Sequence, residues 1–160
     1  SRRGYGLRYP LDEVSTFGST AKGVKSINLK KEDYVISGVV FETDLKYANV
    51  MIVTQRGAIK KMNLIDFDPI SRAKRGLLVL RELKSNSHRV ALMFPVEDSN
   101  ENLTILTSGN QEVQFKARDY NISDRYSNGS FIIDEETDGQ PIDYRQDDLI
   151  YEDKKEEKGK

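Results

Sequence analysis

The chain has 160 residues, enough for a substantial core, and it contains no cysteine, which excludes a disulfide, a thiolate metal site and a cysteine nucleophile. Its net charge of −1 conceals a basic body, with 20 Lys/Arg against 15 Asp/Glu in residues 1–133, and an acidic end, with 5 against 11 in residues 134–160. The asymmetry suggests that the basic body binds a polyanion and that the acidic tail competes with the polyanion for that body. The sequence has no cysteine, no membrane-length apolar run and no signal-peptide pattern, so we expect a cytoplasmic protein.

Short runs of Val, Ile, Leu and aromatic residues, broken by Gly, Asn and Asp, predict β-strands along most of the chain. No stretch keeps helical apolar spacing beyond two turns. In chain order, the predicted strands are Tyr5–Leu11, Gly23–Leu29, Tyr34–Phe41, Asn49–Thr54, Ala58–Asn63, Leu77–Leu83, Arg89–Val96, Asn102–Thr107, Glu112–Ala117, Ser130–Ile133 and Pro141–Tyr144. Residues 145–160 are acidic and poor in apolar side chains, which predicts a disordered tail.

The strands recur in repeated units. Gly23, Gly76 and Gly129 are 53 residues apart, and each opens a strand after a polar loop, where a positive φ or close packing would exclude a Cβ. A period of this size indicates a tandem array of one supersecondary unit, which buries its apolar face only against its neighbours. The units are predicted at about residues 1–53, 54–106 and 107–144.

Four strands in one unit are typical of a propeller blade. The predicted fold is therefore all-β, with about three four-stranded blades in a propeller-like array. Three blades do not close a ring, so we expect an open or partial disc and a chain that is a piece of a longer polypeptide.

The features of the second unit also match a known family. In Val53–Met93, a T-x-x-G turn is followed by I-K-K, then D-F, a loop with arginine, R-G and apolar strands. Thr107–Ile133 and Gly4–Leu29 fit the same template, except that Asn128 replaces the basic residue before the glycine and Ser19 replaces the loop arginine. In this order of features, most of the chain resembles the C-terminal domain of bacterial type IIA topoisomerase A subunits, as in gyrase and topoisomerase IV.

The resemblance implies a β-pinwheel, a propeller-like disc whose blades exchange strands and whose basic rim wraps DNA. Gyrase carries a Q-R-R-G-G-K-G box for chiral wrapping. The closest segment here, Ser1–Leu7, keeps Arg-Arg-Gly but lacks the Gln, the second consecutive Gly and the Lys. This difference favours a topoisomerase IV A subunit, with the gyrase A subunit as the second choice.

The resemblance also implies partners and a location. The partners are duplex DNA bound without sequence preference, the rest of the A subunit, and the ATPase B subunit, which completes a heterotetramer. ATP and Mg²⁺ would be used by other parts of that enzyme, so no cofactor and no catalytic residue is expected in this chain. The expected location is the bacterial nucleoid.

The candidate DNA contacts are basic residues at repeated positions, one set around each turn and one set close to each repeated glycine. They are Arg2, Arg3, Arg8, Lys22, Lys25, Arg56, Lys60, Lys61, Arg72, Lys74, Arg75, Lys116, Arg118 and Arg125. Strand alternation would let such residues face outward while Ile59 or Met62 faces the core. Around a curved rim they would neutralise successive phosphates without reading bases.

Other interpretations stay open at this stage. Any single lysine fits an ordinary solvated surface, and propeller-like repeats also serve as protein-interaction scaffolds. A β-rich hydrolase lacks support, because His88, the only histidine, has no triad spacing and is expected at the surface. Tyr126 follows an arginine, as a DNA-cleaving tyrosine does, but it corresponds to Ala73 at the repeat interval and is interpreted as a loop variation.

Overall fold

The chain is built almost entirely of β-strands. The computed structural model describes residues 1–42, 49–96 and 102–147. Within them the strands are β1 (Tyr5–Gly6), β2 (Asn49–Thr54), β3 (Ala58–Asn63), β4 (Leu77–Leu78), β5 (Val90–Val96), β6 (Asn102–Thr107), β7 (Glu112–Lys116), β8 (Ser130–Phe131) and β9 (Pro141–Gln146). Three short 3-10 helices cover Leu11–Glu13, Leu64–Asp66 and Ala117–Asp119, and α1 covers Glu135–Asp138.

The strands form antiparallel sheets that mix the sequence units. In the described residues the strand orders are β1-β4, β5-β2-β3-β8 and β7-β6-β9. In the largest sheet, β2 and β3 form a hairpin, whereas β8 comes from the next unit and pairs with the start of β3. In the same way, β4 pairs with β1 of the preceding unit. Neighbouring blades therefore exchange a strand, which confirms the all-β, pinwheel-type fold.

The 53-residue period is present in the contacts as well as in the sequence. Tyr5 pairs with Leu78, and Ala58 pairs with Phe131, so both partners advance by the same interval. The three 3-10 helices also begin at that interval. The array is therefore a structural repeat, in which each unit completes its neighbour.

The core lies on both faces of the largest sheet. Met51 and Ile59 belong to one buried cluster, and Ile52 and Met62 belong to the other. Because successive strand residues point to opposite faces, β2 and β3 are buried on both sides. A strand between two apolar layers has no solvent face, and this decides where its lysines lie.

The repeated glycines adopt the conformation that their positions predicted. Gly76 has φ 84° and Gly129 has φ 85°, in the left-handed region that favours glycine. A Cβ at Gly76 would lie 2.1 Å from the carbonyl oxygen of Gly6, and one at Gly129 would lie 2.2 Å from that of Ile59. Gly23 shares the positive φ of 75°, but nothing lies within 4 Å of its Cβ position.

Some strands differ from the prediction. Asn49–Thr54, Ala58–Asn63 and Asn102–Thr107 have the predicted limits. The predicted strands Gly23–Leu29 and Tyr34–Phe41 are wrong, since neither segment pairs as a strand in the described chain. A strand forms only where a neighbour satisfies its backbone. Residues 26–28 form backbone hydrogen bonds with the loop at residues 73–74 instead. Residues 34–41 have no neighbouring strand among the described residues.

Other strands differ in length. The exchanged strands β4 and β8 pair with β1 and β3 over two residues only. The strand predicted at Tyr5–Leu11 therefore ends at Gly6, the one at Leu77–Leu83 ends at Leu78, and the one at Ser130–Ile133 ends at Phe131. The strand predicted at Arg89 begins at Val90, the one predicted to Ala117 ends at Lys116, and β9 continues to Gln146. Of the predicted tail, residues 148–160 lie outside the described residues.

Candidate nucleic-acid interface

Two of the candidate contact residues, Lys60 and Lys61, lie in the interior. Their relative exposures are 2% and 3%, so the prediction that they face a rim was wrong. Alternation along β3 sends one lysine to each face, and both faces of that strand are covered. These two lysines are structural residues.

Lys60 fastens a loop to the sheet. Its Nζ donates hydrogen bonds to the carbonyl oxygens of Val79, Asp124 (3.0 Å) and Ser127 (2.6 Å). Burial lowers the pKa of Lys60 to about 8, while the negative charge of Asp124 opposes that shift. Asp124 and Ser127 come directly before and after Arg125 and Tyr126 in the sequence. The buried ammonium of Lys60 therefore fixes both ends of the short loop that carries Arg125. Lys61 similarly donates to the carbonyl of Ala117 at 2.9 Å.

Basic residues meet where two units join. The backbone N–H of Asn28 donates to the carbonyl of Lys74 at 2.9 Å, and that of Ala73 donates to Ser26 at 2.7 Å. The Arg72 guanidinium donates to the carbonyl of Lys25. These bonds place residues 25–28 beside 72–75, although the two segments are far apart in sequence. We call Lys25, Lys30, Arg72, Lys74 and Arg75 the junction surface.

The junction surface is open to solvent and its outer charges are oriented by an aromatic ring. Lys25, Lys30, Lys74 and Arg75 are exposed, and Arg72 is half-buried. The Lys30 Nζ and the Arg75 Cζ lie 5.3 and 5.9 Å from the centroid of the Tyr5 ring. A cation near an aromatic face is attracted by the ring quadrupole. The Tyr5 ring is therefore a shared neighbour of two cations of the junction surface.

One carboxylate borders this surface. The Glu13 Oε1 accepts a 3.1 Å hydrogen bond from the backbone N–H of Arg72, and the Glu13 carbonyl accepts one from the Arg72 Nε at 3.3 Å. The salt bridges recorded among the described residues involve Arg89 and Arg145 and no cation of the junction surface. The positive charge of the surface is therefore not consumed by internal ion pairs within the described chain.

The next junction repeats the arrangement with fewer charges. The Asn128 side chain accepts from the Arg81 N–H at 2.7 Å and donates to the Arg81 carbonyl at 3.1 Å. At the 53-residue interval, Arg81 follows Asn28 and Asn128 follows Arg75. Arg125 lies in the same loop, with its Cζ 4.8 Å from the Tyr126 ring centroid and its Nη2 2.8 Å from the Tyr126 hydroxyl. Arg81 and Arg125 are the cations of this second junction.

The turn residues are divided between surface and structure. Arg8 donates to the carbonyl of Phe67 at 3.0 Å, and Arg56 donates to that of Asn86 at 2.9 Å, so both guanidinium groups join separate segments. Arg2 lies over the Tyr34 ring at 5.8 Å. Their half-buried side chains fit a packing role better than a free rim. Of the other candidates, Lys22 and Arg118 are exposed, and Arg3 and Lys116 are half-buried.

A comparison with known proteins identifies the repeat. The family described as "DNA gyrase C-terminal domain, beta-propeller" matches residues 1–42 and 48–97, which is more than half of the chain. The chain belongs to this family. The match agrees with the resemblance of the turn, I-K-K and R-G features, and with the exchanged strands.

Two curated relatives of this family member are A subunits of DNA topoisomerase 4. The A subunit of DNA topoisomerase 4 from Bacillus subtilis (strain 168) is 43% identical over 137 residues, which cover 86% of this chain and 16% of the relative. The corresponding protein of Streptococcus pneumoniae serotype 4 (strain ATCC BAA-334 / TIGR4) is 38% identical over 168 residues, covering 96% of this chain and 20% of the relative. The chain thus spans a small part of the length of these relatives.

Solved structures of the family agree. "Crystal structure of the C-terminal domain of DNA topoisomerase IV" has a TM-score of 0.85 and 41% identity, covering 91% of this chain and 44% of that chain. "Structure of DNA gyrase A C-terminal domain" has a TM-score of 0.62 and 20% identity, covering 79% and 42% respectively, and shows likeness of fold alone. The family member is therefore nearer to the topoisomerase IV domain than to this gyrase domain.

Sequence reasoning missed two cations of this family member's junctions, Lys30 and Arg81. The candidate set was limited to basic residues next to the turn or within about four residues of the glycine, whereas both of these follow the glycine at a greater distance. For Arg81, the 53-residue interval carried the missing signal. It places Arg81 where Asn28 lies, and Asn28 is bonded to the loop of Arg75.

His88 is another departure from expectation. It is 4% exposed rather than at the surface, with its Nδ1 2.9 Å from the Thr54 Oγ1 and its Nε2 3.3 Å from the Arg56 Nη1. Burial, and then the positive charge of Arg56, lower the pKa of His88. An imidazole that joins a strand end to a turn is a structural element of this domain.

Metal and membrane sites find no support in residues 1–42, 49–96 and 102–147. No group of three or more His, Asp or Glu side chains is placed there to hold a metal ion. The helices of this region are also too short, and not apolar enough, to cross a bilayer.

Proposed function

We propose that this chain is the DNA-binding and DNA-wrapping module of a topoisomerase IV A subunit. The observation that supports the proposal is the junction surface, where units brought together by strand exchange present five cations in one place. Phosphates are bound by such clusters without base recognition, because the charge of the backbone is the same at every step. The duplex is therefore bound without sequence preference.

The two junctions suggest how the duplex follows the disc. Lys74 and Arg75 in one junction, and Arg81 and Arg125 in the next, lie on segments related by the repeat interval. Bending a site of 20–30 base pairs costs about 1–6 kcal/mol. Several phosphate contacts spread over more than one junction are therefore required, and the described junctions supply part of them.

In the whole enzyme, this module presents a transported duplex segment to the catalytic part of the same A subunit. ATP-dependent decatenation and relaxation are then carried out by the remainder of that polypeptide with the ATPase B subunit, as a heterotetramer in the bacterial nucleoid. ATP and Mg²⁺ act in those other parts, and this chain itself holds no cofactor. The assignment to an A subunit is supported by the relatives that are described as A subunits of topoisomerase 4. The B subunit, ATP, Mg²⁺ and the nucleoid are proposed from the resemblance of the repeat motifs to the family.

The alternative within the family is the wrapping domain of a gyrase A subunit. Ser1–Leu7 forms an ordinary blade turn, with the Gly4 N–H donating to the Ser1 carbonyl at 3.0 Å, as the Gly57 N–H donates to Thr54. Its lack of the second consecutive glycine and the lysine favours topoisomerase IV.

A gel-shift titration of a labelled duplex against salt tests the proposal. Affinity should fall steeply, with log K linear in log salt between about 50 and 200 mM, because each phosphate contact releases counterions. Two duplexes of unrelated sequence should bind equally. No binding even at the lowest salt would contradict the proposal and favour a protein-interaction scaffold.

A further inference from the structure

The two junctions are joined by different hydrogen-bond donors. At the first junction, where the junction surface lies, the Ala73 N–H donates to the Ser26 carbonyl at 2.7 Å. The Asn28 N–H there donates to the Lys74 carbonyl at 2.9 Å. Two backbone hydrogen bonds therefore join the loop directly to a segment of the preceding unit. A simple repeat would place the same two bonds 53 residues later, at the second junction.

At the second junction, the equivalent N–H groups belong to Tyr126 and Arg81. The Tyr126 N–H donates to the Asp124 Oδ1 at 2.8 Å. The Arg81 N–H donates to the Asn128 Oδ1 at 2.7 Å. Side chains of the loop thus accept from both donors. The two carbonyls that the repeat would pair with them need another partner, because a buried backbone acceptor is almost always hydrogen-bonded.

That partner is the Lys60 ammonium. The equivalent carbonyls belong to Val79 and Ser127. The Lys60 Nζ donates to both of them, and to the Asp124 carbonyl as well. One ammonium therefore replaces two backbone–backbone hydrogen bonds and lies between the loop and the segment that it joins.

This bridge belongs to one unit. At the 53-residue interval, Lys60 corresponds to Leu7 and Val113, whose side chains carry no donor. An ammonium has three N–H donors, and three carbonyls accept from this one. A buried cation is costly unless its hydrogen bonds are made, and bonds from a charged donor are the stronger kind. Lys60 therefore fits a role that the other two units lack.

The two walls that Lys60 joins border a groove that carries two guanidinium groups. Its volume is about 410 Å³, and its lining residues are Leu78, Leu80, Arg81, Glu82, Arg125 and Tyr126. The Glu82 carboxylate is engaged elsewhere, since its Oε1 lies 3.7 Å from the Arg89 Nη1 and its Oε2 accepts from the Ser87 hydroxyl at 3.3 Å. Arg81 and Arg125 therefore give the groove a positive charge that fits a phosphate.

We propose that Lys60 is a positioning residue for DNA: its ammonium sets the place of the loop at residues 124–127 and so directs Arg125 toward a phosphate beside Arg81. The inference rests on the proposed function, since it names the residue that arranges part of the DNA-binding surface. Lys60 is 2% exposed, so it does not touch the phosphate itself. Its effect on affinity passes through Arg125, whose loop it holds at both ends.

The test changes only the end of this side chain. The chain contains no cysteine, so Lys60→Cys introduces a single thiol. The thiol is alkylated in urea, where the side chain is accessible, and the protein is then refolded. Alkylation with bromoethylamine gives a side chain of lysine length that ends in an ammonium, and bromopropane gives one of the same length that ends in a methyl group. In both reactions the thiolate displaces bromide and forms a carbon–sulfur bond.

Duplex binding at pH 7 compares the two products. The aminoethyl form should bind like the parent chain, and the propyl form should bind at least about threefold more weakly. In chains that also carry Arg125→Gln, the same exchange of ammonium for methyl should change affinity by no more than about 1.5-fold, because the residue through which Lys60 acts is gone. A purely structural role would give the same loss in both backgrounds. As a control, Lys84→Cys at an exposed position should give two products of equal affinity.

A measurement on the unmodified chain avoids any change to the core. Coupling between two sites is reciprocal, so a duplex bound at Arg125 should tighten the hydrogen bonds of Lys60. Hydrogen exchange of the Lys60 ammonium, measured by NMR, should therefore slow by at least about twofold at saturating duplex. The same duplex should leave that exchange unchanged in Arg125→Gln.

The outcomes separate this inference from the proposed function. If neither the parent chain nor the aminoethyl form binds duplex at about 50 mM salt, the proposed function fails, and this inference fails with it. If both bind, equal affinity of the propyl form would overturn the role of Lys60 alone. An equal loss in the Arg125→Gln background, or ammonium exchange that does not respond to duplex, would overturn that role as well.

Discussion

The Lys60 ammonium donates a 2.6 Å hydrogen bond to the carbonyl oxygen of Ser127, a residue 67 positions later in the chain. This contact crosses from the centre of one blade to the loop of the next unit. It shows that a lysine in the repeat can support a charged surface without being part of it. Substitutions of buried and of exposed lysines should therefore have different consequences.

Replacing Lys60 by Met keeps the length of the side chain but removes the donor. The buried carbonyl of Val79 and the partly buried carbonyls of Asp124 and Ser127 lose their partner, and an unsatisfied buried polar group costs about 1–3 kcal/mol. The free energy of unfolding, measured by urea denaturation, should fall by at least that much. Lys84→Met, at an exposed position, should change it by no more than about 0.5 kcal/mol. Equal stability of the two variants would refute the role given to Lys60.

The pH dependence of stability gives a second test of Lys60. Its pKa is about 8 in the folded chain against 10.5 as the ordinary value, so the unfolded chain binds more protons between these pH values. Stability therefore rises with pH across this window, by up to about 1.4 kcal/mol per pH unit, as the cost of burying the cation disappears. Below pH 8 that cost is fully present.

The measurement compares the parent chain with Lys60→Met by urea denaturation from pH 7 to pH 10. The difference in stability between them should widen in favour of the parent above pH 8. A constant difference would mean that the pKa of Lys60 is not lowered.

The three repeated glycines should differ in their tolerance of alanine. At Gly76 and Gly129 the added Cβ meets a carbonyl oxygen at 2.1 and 2.2 Å in addition to the positive φ. At Gly23 only the φ is unfavourable, at about 1–2 kcal/mol. Thermal unfolding of the single alanine variants should therefore show larger losses for Gly76→Ala and Gly129→Ala than for Gly23→Ala. The same loss in all three would argue against the close packing of the exchanged strands.

The long strands could be predicted from sequence, and the short ones could not. β2 and β6 are runs rich in strand-forming residues between turns, so local preference and tertiary pairing agree, whereas β3 was predicted from its place in the repeat. β4 and β8 pair over two residues because they cross to a neighbouring blade, and nothing local marks where that pairing ends. The 3-10 helices were missed for a similar reason, since three-residue segments carry no helical period.

The candidate interface was predicted only in part. The 53-residue interval identified the loops that bear Arg72, Lys74 and Arg75, and these lie together in the structure. It failed for Lys60 and Lys61 because strand alternation assumes one solvent face, whereas their strand is covered on both. Burial on two faces depends on the neighbouring blades, which a single strand pattern does not report.

The junction surface is tested most directly by reversing one of its exposed charges and one charge outside it. Lys74→Glu and Lys84→Glu make the same change in net charge at exposed side chains. In salt titrations of duplex binding, Lys74→Glu should weaken affinity for every sequence alike and reduce the slope of log K against log salt by about one. Lys84→Glu should keep both close to those of the parent chain. Equal effects of the two variants would contradict a DNA-binding role for the junction surface.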